Sequence, residues 1–195
     1  MLTGIYQSVV FLLAIILFYM MDFFLIHQYD KQRRANGSGR SWDFTLLMLA
    51  FATLLVLQPI FILQISWRTT SVWGFVIQLL GILSLIGAMA LHFWARLHLQ
   101  QFYAERVEVQ PEHRVIDTGP YSTIRHPVIT SFFGMAIGLF LVNPALTTLV
   151  MLIYTFWDFS RAARQEEELL SKTLPDYAAY MARTSRFVPR LWRKS

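Results

Sequence analysis

The sequence predicts an all-α integral membrane protein with five transmembrane helices, the last two a short helical hairpin, followed by a cytoplasmic C-terminal segment. Three observations predict it. Of the 195 residues 55% are hydrophobic, and the mean hydropathy of +0.45 exceeds that of a soluble domain of this length. The apolar residues fall into long blocks bounded by polar or charged residues. The basic residues gather in alternate loops.

The first block, 5–26, is about a bilayer long. It lacks a basic lead-in and a small-residue cleavage site before Asp22, so it reads as a retained helix. After Asn36-Gly37-Ser38-Gly39, a flexible loop tip, the second block covers 44–65 and the third 72–94. The last, 127–157, is too long for one helix. Asn143-Pro144 divides it, because proline lacks an amide donor and pushes the preceding residue out of the α region. Trp42, Trp67, Trp73 and Trp94 fall near span ends, where indole rings anchor at the interface. Gly134 and Gly138 have the small-xxx-small spacing that a tight hairpin uses. No internal repeat is evident, which argues against a transporter built from inverted halves.

Lys31, Arg33, Arg34 and Arg40 occupy the first loop, and Arg96, Arg106, Arg114 and Arg125 the third. The tail carries Arg183, Arg186, Arg190, Arg193 and Lys194, whereas the second loop has only Arg68. With five spans, the positive-inside rule places the N-terminus outside and the third loop and C-terminus in the cytoplasm. Four spans would separate those two segments, so the charge pattern independently supports the Asn143-Pro144 break. Residues 1–95 are thus expected to form a three-helix membrane region. Residues 96–195, where the polar candidates cluster, are expected to form the functional region: a cytoplasmic loop, the hairpin 127–157 and the C-terminal segment.

The chain has no cysteine, which excludes disulfides, thiolate metal sites and cysteine nucleophiles. The net charge of +5 lies at helix ends and in the tail, without a continuous basic face, so anionic lipid headgroups rather than nucleic acid are the expected partner. His92, His98, His113 and Asp117 have no metal-ligand spacing, and no metal is expected. His92 and His98 read as interfacial residues near a helix end.

Arg125 and His126 stand where a polar loop enters an apolar helix, with Pro127 suited to the first helical position. Ionisable groups there are costly unless they pair, reach water or hold a ligand. A second charged stretch, 161–168, extends the last span into water and ends in Glu166, Glu167 and Glu168. In a simply solvated helix Arg164 would pair with Glu168.

Gly119-Pro120-Tyr121, Arg125-His126-Pro127, Asn143-Pro144, the 161–168 stretch, Tyr177 and Tyr180, and Phe187-Val188-Pro189 occur in order. Together they resemble the isoprenylcysteine carboxyl methyltransferase family, with its phospholipid methyltransferase relatives. The resemblance spans roughly 91–192. It implies S-adenosylmethionine (S-adenosyl-L-methionine) bound between the last two membrane helices, the preceding loop and the C-terminal segment. It also implies a lipophilic or lipidated acceptor arriving from the bilayer, of which an isoprenylcysteine carboxylate is the family's best-known case. By family position Arg161 and Glu166, with Arg125, serve the acceptor end. Gly119, Tyr121, His126, Pro127, Glu167 and Tyr177 line the cofactor.

The chemistry of these residues suits that assignment. The cofactor's carboxylate wants cationic donors, its adenine an aromatic surface and its sulfonium nearby negative charge. A carboxylate acceptor is ionised at neutral pH and needs a cation to position it, for which Arg161 or Arg125 serves. An amine acceptor would need a base, Glu166 or Glu167. On an uninterrupted helix Arg161 and Glu166 point about 140° apart, whereas Arg161 shares a face with Glu168, so the choice among the three glutamates stays open. The chain departs from the family at Ile129, where a tyrosine is usual, and at Leu174-Pro175. Three other readings stand beside this one: a phospholipid or amine N-methyltransferase, an NADPH-dependent membrane reductase of the sterol reductase type, and a non-enzymatic lipid-binding scaffold.

Overall fold

A computed structural model describes residues 2–29, 42–61, 72–99 and 115–189. Six α-helices occur among them: α1 (Ile5–Tyr29), α2 (Trp42–Phe61), α3 (Val72–Leu99), α4 (Pro127–Val142), α5 (Leu146–Thr173) and α6 (Tyr177–Arg183). A 3-10 turn, Gly119–Ser122, precedes α4. An isolated parallel bridge pairs Ile124 with Ser185.

The hairpin break falls where proline chemistry places it. α4 ends at Val142 and α5 begins at Leu146. Two helices outrun their apolar blocks: α3 continues past Trp94 to Leu99, and α5 continues past Trp157 to Thr173. Hydropathy marks where the apolar run ends, whereas backbone hydrogen bonding continues the helix beyond it. Residues 62–65 of the expected second span lie outside the described residues.

Two of the five expected spans, Ile5–Leu25 and Val72–Leu99, are long and apolar enough to cross a membrane. Leu49–Phe61 and Pro127–Val142 are shorter apolar helices. Only 22% and 28% of the apolar windows of the two long helices are buried, so neither resembles the core helix of a soluble domain. Their outer faces expose Leu13, Leu17, Met20, Phe23, Leu80, Leu83 and Ile86. So much contiguous apolar surface is stable against lipid, not water.

The chain divides into two compact units, each built from separate stretches: 1–86 with 135–153, and 87–134 with 154–195. In the first, α1 packs on α2, and Phe11, Leu55, Leu85 and Val142 form the core. Gly138 packs against α3. A Cβ on Gly138 would come within 2.7 Å of Leu85 Cγ and 2.8 Å of the Gly81 carbonyl. Small residues therefore let two backbones approach closely.

A polar cluster secures the end of α4 in this unit. The Val142 carbonyl, left without an intrahelical partner, accepts hydrogen bonds from Gln7 Nε2 (3.0 Å) and Gln78 Nε2 (3.1 Å). Asn143 Nδ2 donates to Gln58 Oε1 at 2.6 Å. The Thr148 hydroxyl donates to the Asn143 carbonyl (2.7 Å) and accepts from the Ala145 amide (3.1 Å), satisfying groups freed at the turn.

The second unit carries two small cores. Ala95, Tyr121 and Val128 form one, with Leu99, Ile116 and Phe132 packed against it. Leu170, Tyr177 and Tyr180 form the other, with Val115, Leu174 and Met181. A Cβ on Gly134 would come within 2.9 Å of Ala88 Cβ, so the close approach of α3 and α4 continues here.

Candidate functional site

The segment before α4 is shaped by local rules. Gly119 has φ +57°, a left-handed conformation that suits glycine, and the His98 ring occupies the space a side chain there would need. The turn closes with the Tyr121 amide donating to the Thr118 carbonyl at 3.1 Å. Residues 123–126 then run parallel to 185–186. The Ser185 amide donates to Thr123 O (3.1 Å), the Arg125 amide to Ser185 O (2.8 Å) and the His126 amide to Arg186 O (3.1 Å). Pro127 starts α4 where its missing N–H costs nothing, and the His126 carbonyl accepts the first helical bond from Thr130 at 2.9 Å.

Glu167 on α5 is the centre of the arrangement. Its Oε1 accepts from Arg125 Nε at 2.8 Å and lies 3.1 Å from His126 Nε2. Its Oε2 accepts from Arg186 Nε (3.0 Å) and Nη2 (2.5 Å). The side chain is 7% exposed and its carboxylate is fully engaged by three residues. Glu166 differs: its Oε2 lies 3.5 Å from His126 Nδ1 and its side chain is 44% exposed. The imidazole sits between two carboxylates, one saturated and one open.

Burial disfavours charge on His126, but the hydrogen bonds and charges of Glu166 and Glu167 outweigh it, so the ring's pKa is raised above the ordinary 6.5. As an imidazolium it donates to both carboxylates. Burial also disfavours charge on Glu167, yet hydrogen bonds from His126, Arg186 and Arg125 hold it far below the usual carboxylate range. Tyr177 and Tyr180 are pushed above their ordinary values, chiefly by burial, and remain neutral phenols at neutral pH.

Arg125, His126, Glu166 and Glu167 are thus brought together. Arg125 is engaged through Nε and Nη1: besides Glu167, its Nη1 donates to the Met181 carbonyl at 3.1 Å and to the Thr184 carbonyl. Tyr177 is buried with its ring 5.7 Å from that of Tyr180, and the Tyr180 hydroxyl donates to the Tyr121 carbonyl at 2.8 Å. The Tyr121 ring belongs to the small core. Ile129 is half-buried in the first turn of α4.

Arg161 stands apart. It is exposed, with its guanidinium carbon 6.0 Å from the centroid of the Trp157 ring. α5 is unbroken from 161 to 168, so Arg161 and Glu166 lie on different faces of one helix. Arg164 and Glu168 are exposed.

Sequence reasoning missed three features. Arg186 was one basic residue in a tail of several, and its place beside Phe187-Val188-Pro189 was the available signal. Thr184 is buried, its hydroxyl donating to the Tyr180 carbonyl at 2.6 Å. His92 is corrected from an interfacial to an interior residue. α3 runs past it to Leu99, it is 1% exposed, and its Nδ1 lies 3.1 Å from the Ser131 hydroxyl. His98 Nδ1 lies 2.9 Å from the Trp94 carbonyl, and His113 lies outside the described residues. No group of three His, Asp or Glu suited to a metal occurs among the described residues.

A ladder of rings adjoins the cluster. Phe187 lies 6.0 Å from His126 and meets Phe133 edge-on at 5.1 Å, and Phe133 stacks on Phe156 at 4.2 Å.

Residues 79–172 match the model of the isoprenylcysteine carboxyl methyltransferase family. Among curated proteins, the nickel-cobalt-cadmium resistance protein NccN of Alcaligenes xylosoxydans xylosoxydans is 35% identical over 78 residues, covering 40% of this chain and 37% of that protein. The protein-S-isoprenylcysteine O-methyltransferase of Saccharomyces cerevisiae is 25% identical over 193 residues, covering 92% of this chain and 78% of the yeast protein. The cobalt-zinc-cadmium resistance protein CzcN of Cupriavidus metallidurans is 26% identical over 114 residues, covering 57% of this chain and 49% of that protein. The chain therefore spans half or less of the two resistance proteins and most of the yeast enzyme.

Proposed function

The chain belongs to the isoprenylcysteine carboxyl methyltransferase family through residues 79–172, and from that premise we propose that it is an integral membrane methyltransferase. In this reading it uses S-adenosylmethionine to methylate a lipophilic acceptor, the carboxylate of an isoprenylcysteine-like molecule, at the cytoplasmic face. The carrying observation is the buried imidazole of His126, flanked by the saturated carboxylate of Glu167 and the half-exposed one of Glu166.

The residues present fit that cofactor. Arg125, His126 and Arg186 all hold the Glu167 carboxylate, which leaves the Nδ1 edge of His126 and the half-exposed Glu166 at the margin of the cluster. Glu166 leaves negative charge open at the edge of the cluster, which suits a sulfonium, and Phe187 and Tyr177 offer aromatic surface nearby. When bound, S-adenosylmethionine supplies a methyl group on a sulfonium, open to in-line displacement.

The chain's own residues align and shield. His126, oriented by Glu167, holds the cofactor end, with Gly119, Tyr121, Pro127 and Tyr177 shaping the wall. With Arg125 engaged by Glu167 and two carbonyls, Arg161 is the cation presented to an acceptor carboxylate. Such an acceptor needs no general base. An amine acceptor would make Glu166 the base, and the half-exposed position of this carboxylate supports that second reading.

The test is calorimetric titration of S-adenosylhomocysteine into the purified, folded chain, where saturable binding is expected. Absence of binding would sink the proposal, and selective thermal stabilisation by NADPH would point to the reductase reading instead. His126→Ala should lose binding, and Arg161→Ala should retain binding while losing transfer of a labelled methyl group to lipid extract. The labelled product then separates carboxylate from amine acceptors.

A further inference from the structure

Arg186 grips the cluster twice. Its guanidinium places Nε at 3.0 Å and Nη2 at 2.5 Å from Glu167 Oε2, and its main-chain carbonyl accepts the His126 amide at 3.1 Å. The neighbouring residues repeat the pattern. Ser185 bridges Thr123 and Arg125 through its backbone, and the Phe187 carbonyl accepts from the Thr130 hydroxyl at 2.9 Å. Residues 185–187 thus strap the loop that enters α4, and Arg186 alone in the strap also reaches α5.

The consequence lies in how Glu167 is shared. Arg186 occupies Oε2, so Oε1 is left to Arg125 and His126. Two N–H groups in one guanidinium plane converge on Oε2 and hold that oxygen from a fixed direction, which a freely rotating ammonium does not. Without the guanidinium, Glu167 could turn about its last torsion, and the Nε2 edge of His126 would lose its fixed partner.

We propose that Arg186 is a positioning residue of the transfer site, holding Glu167 with its side chain and His126 with its main chain so that the imidazole keeps one orientation toward the cofactor. This rests on the methyltransferase reading above only for what the orientation serves. The strap geometry stands without it.

The charged and titratable groups facing His126 are Glu166 and Glu167 from α5, Arg186 from the strap and Arg125 from the loop, with Tyr177 electrostatically coupled to the glutamates. The experiment follows the His126 ring by NMR in the full chain carrying ring-labelled histidine, with His126→Gln assigning the resonance. Wild type, Arg186→Met and Arg186→Lys are titrated with pH. If Arg186 positions Glu167, the His126 midpoint falls in Arg186→Met, and falls less in Arg186→Lys. If Arg186 only adds positive charge, its loss raises the midpoint. A rise or no change in a folded variant therefore overturns the proposal, and Arg186→Lys decides the matter should Arg186→Met not fold.

The second arm measures S-adenosylhomocysteine binding. Arg186→Met should weaken it about tenfold or more, the scale of a lost charge-assisted hydrogen bond. Unchanged affinity in a folded variant overturns the positioning role. No binding by wild type overturns the methyltransferase reading instead, while the NMR arm still decides whether Arg186 places His126.

Discussion

Nε2 of His126 lies 3.1 Å from Oε1 of Glu167, a residue 41 positions later in the chain. That contact joins the start of α4 to the C-terminal half of α5, and each partner alters the other's titration. The His126 pKa is raised above 6.5 and that of Glu167 is depressed below 4.5. The stability each contributes therefore has a defined pH window.

For His126 the contribution is fully present below its unfolded value of 6.5 and is lost as pH rises through the higher folded value. For Glu167 it is present above 4.5 and is lost only as pH falls through a value far below that. Near neutrality only the histidine changes. The melting temperature of the full chain in neutral detergent should fall as pH is raised above 6.5, and His126→Gln should flatten that dependence. A wild-type melting temperature that rises over the same interval would contradict the pairing.

Gly138 and Gly87 make a paired prediction about packing. A Cβ on Gly138 meets Leu85 Cγ at 2.7 Å and the Gly81 carbonyl at 2.8 Å, whereas one on Gly87 meets nothing within 4 Å. Gly138→Ala should destabilise by about 1–3 kcal/mol through overpacking. Gly87→Ala should stabilise by up to about 1 kcal/mol, because alanine costs less backbone entropy in a helix. Thermal unfolding of both variants in one detergent checks the contrast, and equal effects would show that the close approach of α3 and α4 is not tight.

The bond from Asn143 Nδ2 to Gln58 Oε1, at 2.6 Å and buried, ties the hairpin turn to α2. A double-mutant cycle of Gln58→Ala and Asn143→Ala should give a coupling of about 0.6–2 kcal/mol, the range found for polar pairs between membrane helices. Additive effects would assign the stability of this turn to Gln7 and Gln78 at the Val142 carbonyl instead.

How much of this was legible depended on how far the information lay along the chain. The break at Asn143-Pro144 was legible because proline acts on its own neighbours. Arg125 and His126 were legible because charge beside an apolar block is costly wherever it sits. The extension of α3 to Leu99 was not, since hydropathy follows the bilayer and not the backbone, and that hid His92 in what looked like a helix end. Its neighbour Ser131 is 39 residues away. Arg186 was hidden differently: it folds back onto Glu167 across a turn at Leu174-Pro175, and a basic tail reads equally well as lipid contact.

The three adjacent glutamates, left open by sequence, are separated by environment. Glu168 is exposed, Glu167 is buried with every acceptor position engaged, and Glu166 is 44% exposed beside His126. Conversion of each to glutamine preserves shape and removes charge. Glu168→Gln should match wild type in stability and methyl transfer. Glu167→Gln should lower the melting temperature most, because its amide group cannot satisfy the donors of Arg125, His126 and Arg186 without repelling one, a loss of about 3–5 kcal/mol for a broken buried ion pair, less here because Arg186 is partly solvated. Glu166→Gln should fold like wild type and lose turnover, since the open carboxylate beside His126 is gone. Stability curves together with transfer of labelled methyl to lipid extract distinguish the three. A Glu167→Gln variant that folds normally while Glu166→Gln unfolds would reverse the assignment of support and chemistry between these neighbours.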